Sequence, residues 1–136
     1  MVDEALSRMS LTEISEALLK REVSSQEVVR NSLEELEKRG PSLNCVARLF
    51  PEQALAEAES ADQKLSSGIS QGPLHGVPLL HKDMFYRTGK ISACGSKICE
   101  DYVPDATATA LLKLDQAGAL DIGRLKMVEF AYGLTG

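Results

Sequence analysis

No stretch of the 136 residues comes near the roughly 18 uninterrupted apolar positions that a bilayer-crossing helix needs, so no membrane partner is expected. The start, Met1-Val2-Asp3-Glu4, lacks the basic leading region of a signal peptide, which makes the cytoplasm the expected location. Basic residues are also in short supply. Fifteen Lys and Arg face 20 Asp and Glu, the net charge is -5, and the positive charges are scattered. Nucleic-acid binding relies on clustered Lys and Arg that displace counterions from phosphate, so no nucleic-acid partner is expected.

Cysteine is scarce and odd in number. Cys45, Cys94 and Cys99 cannot all pair within one chain, and their spacing fits neither C-x-x-C nor a paired zinc-knuckle pattern. Reduced thiols are expected in a reducing compartment, with a Cys94–Cys99 disulfide as the alternative. Several signatures of chemistry are missing as well. Neither G-x-G-x-x-G nor the phosphate-loop pattern occurs, and Gly95-Ser96-Lys97 lacks the upstream glycine that would complete the latter. H-E-x-x-H, the calcium-loop pattern and Ser-x-x-Lys are absent. The two histidines, His75 and His81, have no ligand cluster beside them and are expected to be hydrogen-bonded framework residues.

What is present is the balance of a globular domain, with 43% hydrophobic and 26% charged residues. Residues 1–68 read as mainly helical. Ser10-Leu11-Thr12-Glu13 is a capping box, and Leu11, Ile14, Leu18 and Leu19 follow at helical spacing. Ser24-Ser25-Gln26-Glu27 repeats the signal before Val28, Val29, Ser32, Leu33 and Leu36, and Gly40-Pro41 is expected to end this second helix of a hairpin. Cys45–Phe50 reads as a short strand. Pro51 then suits a first helical position, and Ala54, Leu55, Ala58, Ala61 and Leu65 give that helix its buried face before Ser66-Ser67-Gly68.

From residue 69 the pattern changes. Gly72 to Asp83 mixes Gly, Pro and apolar residues without helical period and reads as a buried strand leading into a loop. Asp105 is placed to cap a helix carrying Ala108, Leu111, Leu112 and Leu114, which Gly118 closes before the apolar run Ala119–Gly123. That helix-to-strand step makes the fold class α/β.

Lys82 carries the functional question. It follows Val77-Pro78-Leu79-Leu80 and precedes Asp83-Met84-Phe85, so its amine can sit at a strand end against an apolar wall. Desolvation favours a neutral amine, and a neutral amine can serve as general base for a serine nucleophile. The other reading, in which Lys82 pairs with Asp83 or extends to solvent, stands beside it.

Gly72-Pro73-Leu74-His75-Gly76-Val77-Pro78 followed by Lys82-Asp83 resembles the amidase-signature family's approach to its catalytic lysine. Four further blocks stand in the family's order: Gly95-Ser96-Lys97, Val103-Pro104-Asp105-Ala106-Thr107, Ala117-Gly118-Ala119 with Gly123, and Met127-Val128-Glu129-Phe130-Ala131-Tyr132-Gly133. Met84, where a polar residue is frequent, and Leu125-Lys126, in place of a Thr-Asn pair, depart from it and bear on substrate preference.

The resemblance implies N-terminal helices followed by the start of an α/β/α mixed-sheet domain, incomplete within 1–136. It implies amide C–N hydrolysis by a Ser, cis-Ser, Lys triad without metal or organic cofactor, in which Lys82 matches the lysine. The serines belong to a Gly-Gly-Ser-Ser-rich block that does not occur here, so the chain alone is expected to be inactive. Ser96 is expected to be a turn residue. By position Tyr132, Gly133 and Leu134 line the pocket for a small-molecule amide, the alternative being that Phe130 and Tyr132 are core aromatics.

Three organisations follow from the resemblance. The chain is the N-terminal portion of an amidase, or a subunit of a split or glutamine-dependent amidotransferase-type complex, or a non-catalytic binding module. Uncovered sheet edges are expected to drive it to a complementing chain or to self-association.

Overall fold

The computed structural model describes residues 2–133. The first element, α1 (Glu4–Arg8), is a single turn capped by the Asp3 carboxylate and was not legible in the periodicity. Asn31 fastens it, accepting from the Asp3 N–H at 2.6 Å and donating to Ser7 Oγ at 3.0 Å. α2 (Leu11–Leu19) and α3 (Ser25–Leu43) both open on complete capping boxes, Ser10 with Glu13 and Ser24 with Glu27. Each box satisfies two orphan N–H groups, and the capping serine oxygen alone contributes about 1 kcal/mol.

α3 runs past the expected stop. Gly40 and Pro41 lie inside its last turn, and Asn44, left-handed at φ 51°, ends it. Proline so near a C-terminus forfeits one backbone bond and little else. Gly40 is buried because a Cβ there would stand 3.1 Å from Val46 Cγ2 of the next strand.

That strand, β1 (Val46–Leu49), leads into α4 (Pro51–Ser66), which begins on Pro51 as its sequence position suggests. Ala54, Ala58 and Ala61 form the buried stripe of α4, and their small side chains let α3 and the sheet come close. β2 (Pro78–Lys82), α5 (Thr109–Gln116) and β3 (Leu120–Leu125) complete the framework. α5 starts later than a cap at Asp105 would give. Its N-cap is Ala108, whose N–H donates to the Tyr86 carbonyl at 2.8 Å, while Thr107 Oγ1 accepts from the Thr88 N–H at 3.0 Å. Those tertiary bonds hold residues 105–108 out of the helix.

The sheet order is β1-β3-β2, with β3 antiparallel to β1 and parallel to β2. The core gathers Val29 and Leu33 from α3, Ala54 and Ala58 from α4, and Leu120 and Ile122 from β3. A second cluster joins Leu18, Val28 and Val77. Leu11 and Leu19, expected on the α2 stripe, are exposed. Helices, a mixed sheet and the central β3 confirm the α/β class, and they bring the end of β2 beside the end of β3.

Candidate active site

Lys82 is the last residue of β2. The backbone stays attached to β3 one step further, where the Asp83 N–H donates to the Leu125 carbonyl at 3.2 Å. The chain then turns, closed by the Phe85 N–H on the Lys82 carbonyl at 3.1 Å. Lys82 is half-buried, and among the described residues its amine has no ion-pair or hydrogen-bond partner.

The Asp83 carboxylate is not available to Lys82. It is buried, and its Oδ1 accepts from Arg48 Nη2. Arg48 stands on β1 and reaches over β3 to do so, since β3 lies between β1 and β2. Close strand approach helps. A Cβ on Gly123 would lie 2.4 Å from the Arg48 carbonyl oxygen, so only glycine fits between. Arg48 Nη2 also lies 3.4 Å from the Ile91 carbonyl, and Ser92 Oγ donates to the Asp83 carbonyl at 2.9 Å. The corner after Lys82 is thereby pinned from both β1 and the following loop.

That loop continues the construction. The Cys94 N–H donates to the Asp83 carbonyl at 3.1 Å, and the Cys94 carbonyl accepts from the Phe130 N–H at 2.9 Å. Cys94, Phe130 and Ala131 all have left-handed backbones, at φ 52°, 50° and 57°. Such positions cost about 1–3 kcal/mol each and persist where surrounding bonds over-determine them. Gly95, at φ 68°, passes so close to Met127 that a Cβ would stand 2.5 Å from its carbonyl oxygen. Ser96 caps the short turn Lys97–Cys99, accepting from the Ile98 N–H at 3.2 Å, as a turn residue should. Its hydroxyl also donates to Glu129 Oε1 at 2.6 Å. Nothing in the spacing of Ser96 and Glu129, or of Arg48 and Asp83, announces these pairs.

Successive side chains on a strand face opposite ways, so His81 lies on the other side of β2 from Lys82. β3 pairs Leu79 with Asp121 and Leu80 with Gly123, and this skipped residue brings Asp121 and Arg124 to one face. Arg124 Nη1 donates to Asp121 Oδ1 at 2.6 Å, and Arg87 bridges from Asp115 at 2.8 Å to Asp121 at 3.0 Å. His81 Nε2 sits 3.7 Å from Asp121 Oδ1. Burial pushes its imidazole below the ordinary value of 6.5 and outweighs the opposing pull of Asp121, leaving it neutral at neutral pH. His75 accepts at Nδ1 from the Gln71 N–H at 3.1 Å and meets the Ala61 carbonyl through Nε2 at 2.9 Å. Both histidines are framework residues.

Tyr132 and Gly133 are exposed, Tyr132 by 91%, and Leu134 lies outside the described residues. Phe130 is exposed by 52%, so neither Phe130 nor Tyr132 belongs to a core formed among the described residues. Cys45, Cys94 and Cys99 are free thiols, which removes the Cys94–Cys99 disulfide; burial pushes the Cys94 thiol up. Among the described residues no cluster of three or more His, Cys, Asp or Glu could hold a metal ion, and no helix is long and apolar enough to cross a membrane. A cleft of about 300 Å³ over Glu57, Arg87, Asp115 and Asp121 belongs to the ionic face, away from Lys82.

Residues 27–136 match the family model described as Amidase. The chain is 38% identical over 130 residues to AmiD of Mycobacterium tuberculosis, covering 96% of this chain and 27% of that protein. It is 40% identical over 131 residues to a glutamyl-tRNA(Gln) amidotransferase subunit of Geobacter sulfurreducens, with the same coverages of 96% and 27%. Among solved structures, the native peptide amidase of Stenotrophomonas maltophilia superposes with a TM-score of 0.83 at 29% identity, over 93% of this chain and 26% of that one. The chain therefore spans about a quarter of the length of the relatives it matches.

Proposed function

Because this chain belongs to the amidase family, we propose that it supplies the lysine-bearing part of an enzyme hydrolysing carboxylic amide C–N bonds, with Lys82 as the general base. The observation that carries this reading is the Lys82 amine at the end of β2, without a partner among the described residues and beside an Asp83 carboxylate already committed to Arg48. A carboxylate paired directly with Lys82 would stabilise the ammonium form and oppose its use as a base. Arg48 removes that competitor.

In this reading Lys82 draws a proton through a bridging serine, so that a second serine attacks the amide carbonyl and forms an acyl-enzyme, which water then cleaves. Backbone N–H groups beside that serine stabilise the oxyanion. Both serines lie outside these 136 residues, and Tyr132, Gly133 and Leu134 line the amide pocket. No cofactor enters the chemistry, and the enzyme works in the cytoplasm.

A second reading, membership of an amidotransferase-type complex, draws support from the 40% identity to the Geobacter sulfurreducens amidotransferase chain. Co-purification with a partner that supplies the serines distinguishes the two.

The test grafts this chain in place of the matched segment of the Stenotrophomonas maltophilia peptide amidase. The graft is expected to hydrolyse amides, and Lys82→Ala to lower the rate by at least about 100-fold, the lower bound for loss of a general base. A folded graft whose Lys82→Ala variant keeps its rate would overturn the assignment.

A further inference from the structure

The turn formed by Glu129, Phe130 and Ala131 puts two consecutive non-glycine residues in the left-handed region, and neither side chain is buried to hold them there. What holds the turn comes from the loop after Lys82. The Cys94 carbonyl accepts the Phe130 N–H at 2.9 Å, and the Ser96 hydroxyl donates to Glu129 Oε1 at 2.6 Å. Ser96 is 4% exposed and Gly95 lies against Met127, so the loop cannot slide along the turn. The same loop is bonded to the Lys82 corner through the Cys94 N–H and Ser92 Oγ on the Asp83 carbonyl. One short segment, 92–96, thus grips the strand end that carries Lys82 on one side and the turn that leads to Tyr132 on the other.

We propose that Ser96 and Glu129 are positioning residues for amide binding, their hydrogen bond holding the left-handed turn so that Tyr132 and Gly133 stand at a set place relative to Lys82. This rests on the amidase reading above, and on Tyr132 and Gly133 lining the pocket. The pair touches neither the reacting amide nor the Lys82 amine, so it acts on where the substrate sits. A charge-assisted hydrogen bond with one buried partner is suited to this because it is short and directional. Release of the turn lets the left-handed residues relax to ordinary backbone angles, which moves everything after Ala131.

The test has two arms. Hydrogen exchange in the grafted peptide amidase reads the turn directly, at the Phe130 and Tyr132 N–H groups that donate to the Cys94 and Glu129 carbonyls. Ser96→Ala and Glu129→Ala are expected to speed exchange at these two N–H groups at least about fivefold, with exchange at the Phe50 N–H, bonded to the Ile122 carbonyl, changed less than about twofold. Glu129→Gln keeps an acceptor oxygen for the Ser96 hydroxyl and is expected to stay within about twofold of the parent at every site.

In the grafted peptide amidase, the two alanine variants are expected to raise KM at least about fivefold with kcat changed less than about threefold, and Glu129→Gln to restore KM. Unchanged exchange at Phe130 and Tyr132, or a fall in kcat at constant KM, would overturn the proposal. Failure of the amidase reading shows separately, as a Lys82→Ala graft that keeps its rate, and hydrogen exchange still reports whether the pair holds the turn.

Discussion

Arg48 is the residue on which the corner after Lys82 depends, since it is the ion-pair partner of a carboxylate that is 4% exposed. Removing one partner leaves the other charge buried and unpaired, which is more damaging than never having had the pair. Arg48→Met in the grafted enzyme is therefore expected to cost about 2–4 kcal/mol, discounted from a fully buried pair because the Arg48 side chain is 29% exposed. Urea unfolding measures it, and a loss below about 0.5 kcal/mol would show that solvent replaces the guanidinium at Asp83. At this scale the sequence was informative about Lys82 and silent about Arg48. A motif lists neighbours along the chain, whereas the partner of Asp83 lies on another strand.

At the level of elements, the helix starts were the most legible features, because a capping box is a local arrangement of side chain and backbone within four residues. The Glu27 carboxyl is held below its ordinary value of 4.5, first by the backbone hydrogen bond and then by the hydroxyl of Ser24. A lowered carboxylate contributes stability that is present above the ordinary glutamate value and is lost as pH falls through the lowered one. Ser24→Ala is accordingly expected to cost about 1 kcal/mol at neutral pH. That difference should shrink as the pH drops below the ordinary glutamate range; a pH-independent difference in urea midpoints would count against the box. Helix ends and late starts were less legible. Asn44 ends α3 beyond Gly40-Pro41, and the bonds from Tyr86 and Thr88 delay α5, in each case because tertiary contacts decide which backbone groups are already satisfied.

At the largest scale, the outer edges of β1 and β2 are unpaired among the described residues, in a sheet of three strands there, and Phe85, Tyr86, Tyr102, Val103, Phe130 and Tyr132 are all exposed. The solved peptide amidase on which the chain superposes is about three and a half times as long, as the coverages of 93% and 26% require. Unpaired edges and exposed apolar side chains favour association. The isolated chain is expected to self-associate or to unfold without a sharp transition, as read by light scattering and calorimetry. A monodisperse monomer with a cooperative thermal transition would contradict that.

The amino-acid sequence alone determined the α/β class, the capped helices, the strand that carries Lys82 and the family resemblance, because each rests on residues close together along the chain. The tertiary structure decided the surroundings of Lys82. Arg48 meets Asp83 from another strand, and the skipped residue in β3 turns Asp121 and Arg124 to one face. Ser96 reaches Glu129 across 33 residues. These pairings depend on strand order, register and the close approach that Gly123 permits, and such distances exist only once the chain has folded.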